Sequence, residues 1–452
     1  MKRHQTFPEG EELKSRQMPD RSRRAGEEES RQIHPMIQFD RERVPERVIF
    51  AKGAGAFGVF QPYPGMARYT KADFLQSQER MTKVFVRFSA FLGSQGSSDT
   101  ERDLRGFETR FYTREGNFDL QGCSLPVFFL RDDSKFIDMV HAMKPAPDTN
   151  VRSRERFWEF IARTPETTHI LTWLYTDRGT VKDYIHMDGW GVNTYVWVNA
   201  NGNRCYARCH FKTMQGLQTF DRQKARGLNC SDPDFAMRSL YQAIADGNFP
   251  RYELRVQIMY PEDFAKLSFD PLDDTKIWPE HLFPHRKVGI LTLNENPHNF
   301  LRQVEQSAIS PGNAVPGIVP SAEPMFRNRA FCCLDAQRYR IGEHFRKLPV
   351  NQSITRNLPA FDEEKGYIAG TPHYKPDDFT QAGEHYRSMT LYERQCLHDN
   401  LAAELYACRE ALIGRVLHNL GAADKRMERE VAAAVKSYQT GTVQRFANDW
   451  GK

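Results

Sequence analysis

Short runs of apolar and β-branched residues, divided by Gly, Ser, Asn and Asp, dominate the middle of the chain and predict about eight strands. The clearest runs are Val84–Phe91, Gly106–Thr113, Pro126–Asp132, Thr194–Val198, Arg204–Phe211, Glu253–Met259 and Val288–Leu293. Asn199-Ala-Asn-Gly202 predicts a hairpin turn between two of them. Helical spacing interrupts the strands at Lys135–Met143 and Arg154–Arg163. This order favours a closed antiparallel barrel with inserted helices over alternating βα units.

The segments on either side of this region have a different character. Residues 294–375 are rich in Pro, Gly and Asn and predict one helix, Met325–Arg340. A connection this long wraps over another domain or carries function. The last segment predicts helices, because Thr390-Leu-Tyr-Glu393 is a capping box and Lys425–Tyr438 has helical spacing.

These patterns predict an α+β protein in four parts. They are an N-terminal arm (1–50), a β-barrel domain (51–293), a wrapping segment (294–375) and a C-terminal helical domain (376–452). The first 35 or so residues are polar and charge-mixed, so they form either a disordered tail or an arm that orders against a partner subunit.

Composition excludes several classes of protein. The 452 residues are 40% hydrophobic and 27% charged, which is typical of a globular chain, and the net charge of +5 gives no case for nucleic acid or an anionic membrane as partner. No run approaches the ~18 apolar residues of a spanning helix, and the N-terminus lacks the apolar core of a secretory signal. Eight cysteines in this length do not form a dense disulfide framework. We therefore expect a cytoplasmic protein.

One pair in the predicted helix of the wrapping segment could carry chemistry. Arg329 and Cys333 are four residues apart and share a helix face. A cation there lowers a thiol pKa and favours the thiolate, which is the form that binds metal. The alternative is that Cys333 is simply a small buried hydrophobe.

Other motifs give weaker evidence of function. Cys205 and Cys209 on one strand lie ~13 Å apart, too far for one metal ion, so with His210 they are ordinary barrel positions. Gly53-Ala-Gly-Ala-Phe-Gly58 fits GxGxxG but lacks an upstream strand and a βαβ unit, which argues against a dinucleotide site. The remaining cysteines outside the predicted helix show no partner spacing; they are Cys123, Cys230, Cys396 and Cys408.

Several longer motifs together resemble those of one family. FDRERVPERVIFAKGAGAFG (Phe39–Gly58) resembles the opening signature of the haem catalases, and the resemblance continues through Val86–Gly122, HMDGWGVNTY, LNENPHNF and VEQSAISPGNAVPGIVPS. It runs almost unbroken to Asn351. The resemblance implies a catalase-like barrel that binds haem b, a wrapping segment bearing the axial ligand, C-terminal helices, and assembly as a homodimer or homotetramer.

The chain departs from the family at three chemically central positions. The resemblance places Phe50 at the distal histidine, Ala146 at the distal asparagine and Cys333 at the axial tyrosine. Cys332 is the competing ligand, but one helical step turns it ~100° away from the face of Arg329.

Other haem-contacting positions match the family, and each match implies a role. Ser89 would have lost its distal histidine partner, Arg329 would stabilise the axial ligand, and Phe160 would lie over the distal haem face. Three matched arginines would bind the haem propionates; they are Arg47, Arg87 and Arg340. Glu323 and His186 would complete a charge network on the proximal side.

These substitutions favour a change of reaction. A thiolate donates more electron density than a phenolate and favours O–O cleavage, whereas loss of the distal histidine removes ~10²–10⁴-fold of acid–base help. We therefore predict a haem-thiolate oxidoreductase, lyase or isomerase that acts on a small organic substrate through O–O or N–O bond chemistry, as a peroxygenase, hydroperoxide isomerase or dehydratase does. The alternatives are a weak catalase or peroxidase acting on peroxide, and a non-enzymatic haem-based sensor.

Overall fold

The computed structural model describes residues 25–355 and 374–441. The strands run in chain order as β1 (Gly53–Pro62), β2 (Thr82–Ala90), β3 (Arg105–Thr113), β4 (Gly116–Cys123), β5 (Gly189–Trp190), β6 (Tyr195–Val198), β7 (Arg204–Thr213), β8 (Arg251–Met259), β9 (Arg286–Glu295) and β10 (Ile318–Pro320). The helices are α1 (Ala25–Asp40), α2 (Phe136–Met143), α3 (Arg154–Arg163), α4 (Thr168–Leu174), α5 (Arg222–Ser231), α6 (Phe235–Ala245), α7 (Pro324–Ile341), α8 (Thr380–Ser388), α9 (Leu391–Leu405), α10 (Glu410–Ala423) and α11 (Lys425–Thr440).

The predicted closed antiparallel barrel is confirmed. Among the described residues, the strand order is β10-β6-β7-β5-β4-β3-β2-β1-β9-β8, and β8 also pairs with β7. Eight strands therefore close on themselves, while β6 and β10 extend the sheet beyond the ring. The predicted hairpin joins β6 to β7, with Val198 opposite Arg204 and Gly202 in the left-handed region at φ 81°. Aromatic rings such as those of Phe88, Phe107 and Phe111 fill the interior.

The prediction of a strand at Pro126–Asp132 is wrong. This segment pairs with no strand of the described sheet, and its consecutive residues Val127, Phe128, Phe129 and Leu130 are all at most 2% exposed. It crosses between the barrel and the C-terminal helices as a buried connection. Apolar composition does not separate such a connection from a buried strand, since β2 and β3 are buried on both faces as well.

The predicted helices in the inserted, wrapping and C-terminal segments are confirmed as α2, α3, α7 and α11. The capping box is present as well, since Thr390 Oγ1 accepts a hydrogen bond from the backbone N–H of Glu393 and the Glu393 carboxylate accepts one from that of Thr390. Residues 1–24 of the N-terminal arm lie outside the described residues. The described end of the arm is the helix α1, which the arm's polar composition did not predict. The four domain boundaries stay predictions.

The wrapping segment is held to the barrel by a buried ion pair. Arg110 on β3 donates to both carboxylate oxygens of Asp119 on β4, with N–O distances of 2.7 and 2.6 Å. Asp119 also accepts hydrogen bonds from the backbone N–H of Ser310 (2.9 Å) and from the Asn313 side chain (2.6 Å), while Arg110 donates to the Asn351 side chain. Two barrel strands thus fix both ends of residues 308–351 through one charged pair.

Helix α8 packs on α4 through neutral histidines. The His385 ring stacks on Trp173 at 3.7 Å and is hydrogen-bonded to Thr172 Oγ1, and His169 is hydrogen-bonded to the Thr275 carbonyl oxygen. Burial lowers the pKa of His169 to about 4, and burial together with His169 lowers the pKa of His385 to about 3. The folded state therefore favours uncharged imidazoles at this contact.

Acidification should accordingly loosen the C-terminal helices. Because the folded pKa values lie below the unfolded value of about 6.5, stability is complete above pH 6.5 and is lost as pH falls from there toward about pH 4. Urea unfolding followed by tryptophan fluorescence across this range measures the loss. His385→Gln should flatten the pH dependence, whereas the exposed control His298→Gln should leave it unchanged. Equal slopes in wild type and His385→Gln would contradict the assignment.

Candidate active site

A cavity of about 400 Å³ lies between the end of the N-terminal arm, the barrel and helix α7. Its lining residues are Glu46, Arg47, Val48, Ile49, Phe50, Glu108, Gln121, Gly122, Cys123, Phe128, Phe136, Val192, Ser307, Ile309, Arg329, Cys332, Cys333, Ala336, Gln337, Tyr339 and Arg340. This volume falls within the range of ~300–1,000 Å³ that is typical of ligand sites. The cavity brings together sequence-predicted residues from two distant parts of the chain, the end of the arm and helix α7.

Cys333 lies on the cavity side of α7, one helical turn after Arg329. Burial raises the pKa of the Cys333 thiol to about 12, although Arg329 and Gln121 lower it by smaller amounts. Arg329 thus lowers the pKa of this thiol in the predicted direction, but burial has the larger effect. A metal ion that binds the sulfur would deprotonate it outright. Cys332 also lines the cavity but is more exposed than Cys333, so the preference for Cys333 as the ligand stays a prediction.

Arg47 and Arg340 line the other end of the cavity, and the buried Arg87 lies beside them. Arg47 donates to the carbonyl oxygens of Val304, Glu305 and Ser307, and Arg340 donates to those of Pro45 and Glu305. Arg87, at 0% exposure, donates to the carbonyl oxygens of Phe50 and Ala51. The predicted propionate-binding residues therefore lie in one cluster.

The arginine cluster carries more positive charge than its acidic neighbours balance. The Glu305 carboxylate lies 3.5 Å from Arg47 and 3.8 Å from Arg340, and Glu108 lies 3.8 Å from Arg87. Burial, Arg87 and Arg340 lower the pKa of Arg47 well below its ordinary value. Within the described part of the chain, Nη1 of Arg47 and both Nε and Nη1 of Arg87 are buried without a hydrogen-bond partner. These donors suit the carboxylates of a bound ligand.

Phe50 forms an apolar wall opposite the cysteines. Its ring packs edge-on against Phe91 at 5.0 Å, and its backbone has a φ of 59°, which is uncommon for a bulky residue. Two hydrogen bonds hold this conformation, from the Phe50 N–H to the Phe91 carbonyl and from Arg87 to the Phe50 carbonyl. Ser89 is fully buried beside the Phe50 ring, since a Cβ on Gly106 would contact both side chains. The Ser89 hydroxyl has no partner among the described residues.

Besides Ser89, which is buried beside the Phe50 ring, two more predicted distal residues do not line this cavity. Ala146 lies in the turn after α2, where its N–H donates to the Val151 carbonyl and its carbonyl accepts from Asn150. Phe160 on α3 lines a separate cavity of about 600 Å³. Cys123 at the end of β4, opposite Gly106 in the sheet, does line the cavity close to Phe50. Sequence spacing gave no signal for Cys123, because strand pairing brings it into the site.

The proximal acid Glu323 is fully buried, but its predicted histidine partner is wrong. Its two carboxylate oxygens accept hydrogen bonds from the Asn193 side chain (2.6 Å) and the Thr194 backbone N–H (2.9 Å). His186 is instead hydrogen-bonded to Asp183 at 2.7 Å. Asn193 therefore occupies the place that the sequence analysis gave to His186.

The motifs set aside on sequence grounds are ordinary structural elements. Cys205, Cys209 and His210 are buried positions of β7, and no group of three or more metal-ligating side chains occurs among the described residues. Gly53–Gly58 lies within β1, so it forms no phosphate-binding turn. Within the described ranges, no helix is long and apolar enough to cross a membrane.

Comparison with known proteins identifies the family. The sequence model of the family described as Catalase matches residues 9–381, and that described as Catalase-related immune-responsive matches residues 372–435. The catalase of Helicobacter pylori is 37% identical, with 90% of this chain and 89% of the relative covered. The bromoperoxidase-catalase of Streptomyces venezuelae is 38% identical, with coverages of 90% and 92%.

Solved structures agree. A bacterial catalase structure superimposes with a TM-score of 0.86 at 34% identity and covers 97% of this chain and 96% of its own. Catalase A from Saccharomyces cerevisiae superimposes with a TM-score of 0.85 at 32% identity and covers 96% of this chain and 99% of its own. The chain therefore belongs to the catalase family and has the α+β catalase fold. It is an oxidoreductase of the catalase superfamily, a family that typically binds haem.

The cavity fits haem as judged by its own donors. Arg47 and Arg87 have N–H groups without a hydrogen-bond partner among the described residues. These groups lie in the cationic cluster, where propionate carboxylates would pair with them. Cys333 offers a sulfur donor on the helix that borders the same cavity, and the apolar side chains of Val48, Ile49 and Ile309 would face a porphyrin. The residues present are thus compatible with the family's cofactor.

Proposed function

We propose that this protein is a haem-thiolate enzyme of the catalase family that acts on a small organic substrate and dismutates hydrogen peroxide only slowly. The observation that carries the proposal is the position of Cys333, which lines the cavity one helical turn after Arg329. Bound haem, which we take to be haem b, would supply a redox-active iron able to cleave O–O or N–O bonds. Arg47, Arg87 and Arg340 would hold its propionates.

Cys333 would determine how strongly the protein donates electron density to the haem iron. A sulfur ligand in thiolate form donates more strongly than the tyrosinate that the resemblance implies for the family, and this donation favours O–O cleavage. Arg329 and the Gln121 side chain both lower the pKa of the Cys333 thiol, so they stabilise its anion once it is formed. Partial burial limits the access of oxidants to the sulfur.

The part of the cavity formed by Phe50 would determine which substrates react. Phe50 has no proton to give or take, and the Ser89 hydroxyl has no hydrogen-bond partner among the described residues through which to relay one. Hydrogen peroxide would therefore lack the acid–base help that its dismutation requires. An organic hydroperoxide or an N–O compound would instead bury its apolar part against Phe50. The reaction class is that of a peroxygenase, hydroperoxide isomerase or dehydratase.

A second candidate is a weak catalase or peroxidase. It is favoured by the relatives, which are named catalase and bromoperoxidase-catalase at 37% and 38% identity. In this case a water molecule beside Ser89 would take over part of the missing acid–base function. For either candidate we propose a cytoplasmic homodimer or homotetramer.

The test is the absorption spectrum of the ferrous carbonyl complex in wild type, Cys333→Ser and the matched control Cys332→Ser. We expect a strongly red-shifted Soret band that is lost in Cys333→Ser and kept in Cys332→Ser, because the ligand sulfur alone produces it. A conventional band in wild type would contradict thiolate ligation. Oxygen release from hydrogen peroxide without turnover of an organic hydroperoxide, measured on the same samples, would favour the second candidate.

A further inference from the structure

A second carboxylate is buried directly beside Glu323. Asp274 lies in the connection between β8 and β9 and is 1% exposed, while Glu323 is 0% exposed. The two side chains are within hydrogen-bonding reach of each other. Both oxygens of Asp274 are buried and accept a hydrogen bond from no N–H or O–H donor among the described residues. Two bare carboxylates in such contact repel strongly, so a proton between them is the simplest way to satisfy both.

The neighbouring cations do not replace this proton. Arg208 on β7 uses its donors on Thr194 Oγ1 and on the carbonyl oxygens of Lys276, Pro271 and Asp273. Arg329 on α7 lies over the ring of Phe128, 4.3 Å from its centroid. Both guanidinium groups favour the ionised form of Asp274 electrostatically. Burial and the neighbouring Glu323 carboxylate oppose that form and have the larger effect.

Phe128 connects the acid pair with Arg329. Its backbone N–H donates to the carbonyl oxygen of Asp274 at 2.9 Å, and its ring lies under the Arg329 guanidinium. Asp274, Phe128 and Arg329 are therefore parts of one packed unit. The charge held by the acid pair acts on Arg329 at short range, and Arg329 lies four residues before Cys333 on the same helix face.

We propose that Asp274 and Glu323 hold one proton between them and that this acid pair positions the Arg329 guanidinium beside Cys333. With one shared proton the pair carries a single negative charge, so it attracts Arg329 without drawing it away from the sulfur. Loss of the proton would double that charge, and gain of a second would remove it. The effect on Cys333 rests on the proposed function, whereas the shared proton does not.

The charged and titratable surroundings of the pair come from four elements. They are Arg329 on α7, Arg208 on β7, Cys123 on β4 and Tyr195 on β6. Asp274 raises the pKa of the Cys123 thiol, although burial is the larger cause. Burial, followed by Glu323, raises the pKa of Asp274 well above its ordinary value, and burial raises that of Glu323.

Infrared difference spectroscopy of the purified protein tests the shared proton. Wild type near neutral pH should show the carbonyl stretch of a protonated carboxylic acid, shifted on transfer to heavy water. Asp274→Asn and Glu323→Gln should each lose this band, because the remaining carboxylate no longer has a partner to share a proton with. The matched control Asp273→Asn should keep it, since the Asp273 carboxylate accepts hydrogen bonds from Thr275 instead.

Each infrared result either supports or overturns the shared proton. Absence of the band in wild type, or its persistence in Asp274→Asn, overturns the shared proton. If the variants fail to fold, the heavy-water shift in wild type and loss of the band at alkaline pH decide the question.

The reduction potential of the haem, titrated against pH, tests the link to Cys333. Wild type should show a downward shift at alkaline pH that Asp274→Asn removes. A potential with the same pH dependence in both proteins overturns the positioning role and leaves the shared proton standing. If Cys333 proves not to be the haem ligand, the proposed function fails while the infrared result still stands.

Discussion

Replacing Phe50 with histidine is expected to raise the rate of hydrogen peroxide dismutation by about 10²- to 10⁴-fold, the usual contribution of a positioned acid–base group. The position is prepared for this residue in two ways. The fully buried hydroxyl of Ser89 lies beside the Phe50 ring with no partner among the described residues, so it can hydrogen-bond an imidazole. The backbone φ of 59° is also better tolerated by histidine than by phenylalanine.

Oxygen release from hydrogen peroxide, followed with an oxygen electrode at matched haem content, measures the gain. Phe50→Leu is the control, because it changes the size of the side chain without supplying a proton. Adding Ser89→Ala to Phe50→His should reverse part of the gain by removing the hydroxyl that orients the ring. An unchanged rate in Phe50→His would show that the missing proton transfer does not limit the reaction.

Removing the carboxylate of Asp119 is expected to destabilise the protein by about 3–5 kcal/mol, the usual effect of breaking a buried ion pair by truncating one partner. Asp119→Ala would leave the fully buried Arg110 without its counter-charge. It would also leave the backbone N–H of Ser310 and the side chain of Asn313 without their acceptor. The wrapping segment should therefore loosen together with the helix that it carries.

Urea unfolding gives the free energy of unfolding, and limited proteolysis shows where the chain becomes accessible. Replacing both partners, as Arg110→Met with Asp119→Leu, should be much less damaging than Asp119→Ala alone, because no buried charge then stays unpaired. The exposed ion pair of Arg338 and Glu343 supplies a control, since Glu343→Ala should change stability by only about 0–1 kcal/mol. Equal effects in the two carboxylate variants would contradict the argument.

The barrel could be predicted from short β-rich runs bounded by turn residues, even where a strand such as β2 or β3 is buried on both faces. The same composition misleads where a buried segment has no neighbouring strand to pair with. Pro126–Asp132 has strand-like composition, but tertiary contacts bury all of its consecutive apolar residues, so it needs no sheet partner. The reverse error occurs in β1, whose many glycines hide a strand within a motif that resembles a phosphate loop. Composition reports the local preference, and packing decides between the alternatives.

Some contacts of the candidate site could likewise be predicted from the sequence, and others could not. The pairing of Arg329 with Cys333 follows from helix geometry alone, so the sequence was sufficient for it. Cys123 reaches the cavity through the pairing of β3 with β4, and residue spacing carries no information about such contacts. The family resemblance places His186 beside Glu323, yet the fold brings Asn193 to that carboxylate. Long-range geometry therefore decides which of two nearby polar residues takes part.

The glycines of β1 have a consequence for how this barrel tolerates genetic drift. A side chain at Gly58 would meet the backbone of Thr292 on β9, and one at Gly53 would meet the Phe88 carbonyl on β2. Because these obstacles are main-chain atoms of both neighbouring strands, no change of rotamer can clear them. A saturation library should thus find Gly53 and Gly58 nearly immutable, while exposed glycines such as Gly96 accept many residues. The GxGxxG pattern of β1 therefore reflects the close approach of its two neighbouring strands in the closed barrel, and not a nucleotide site.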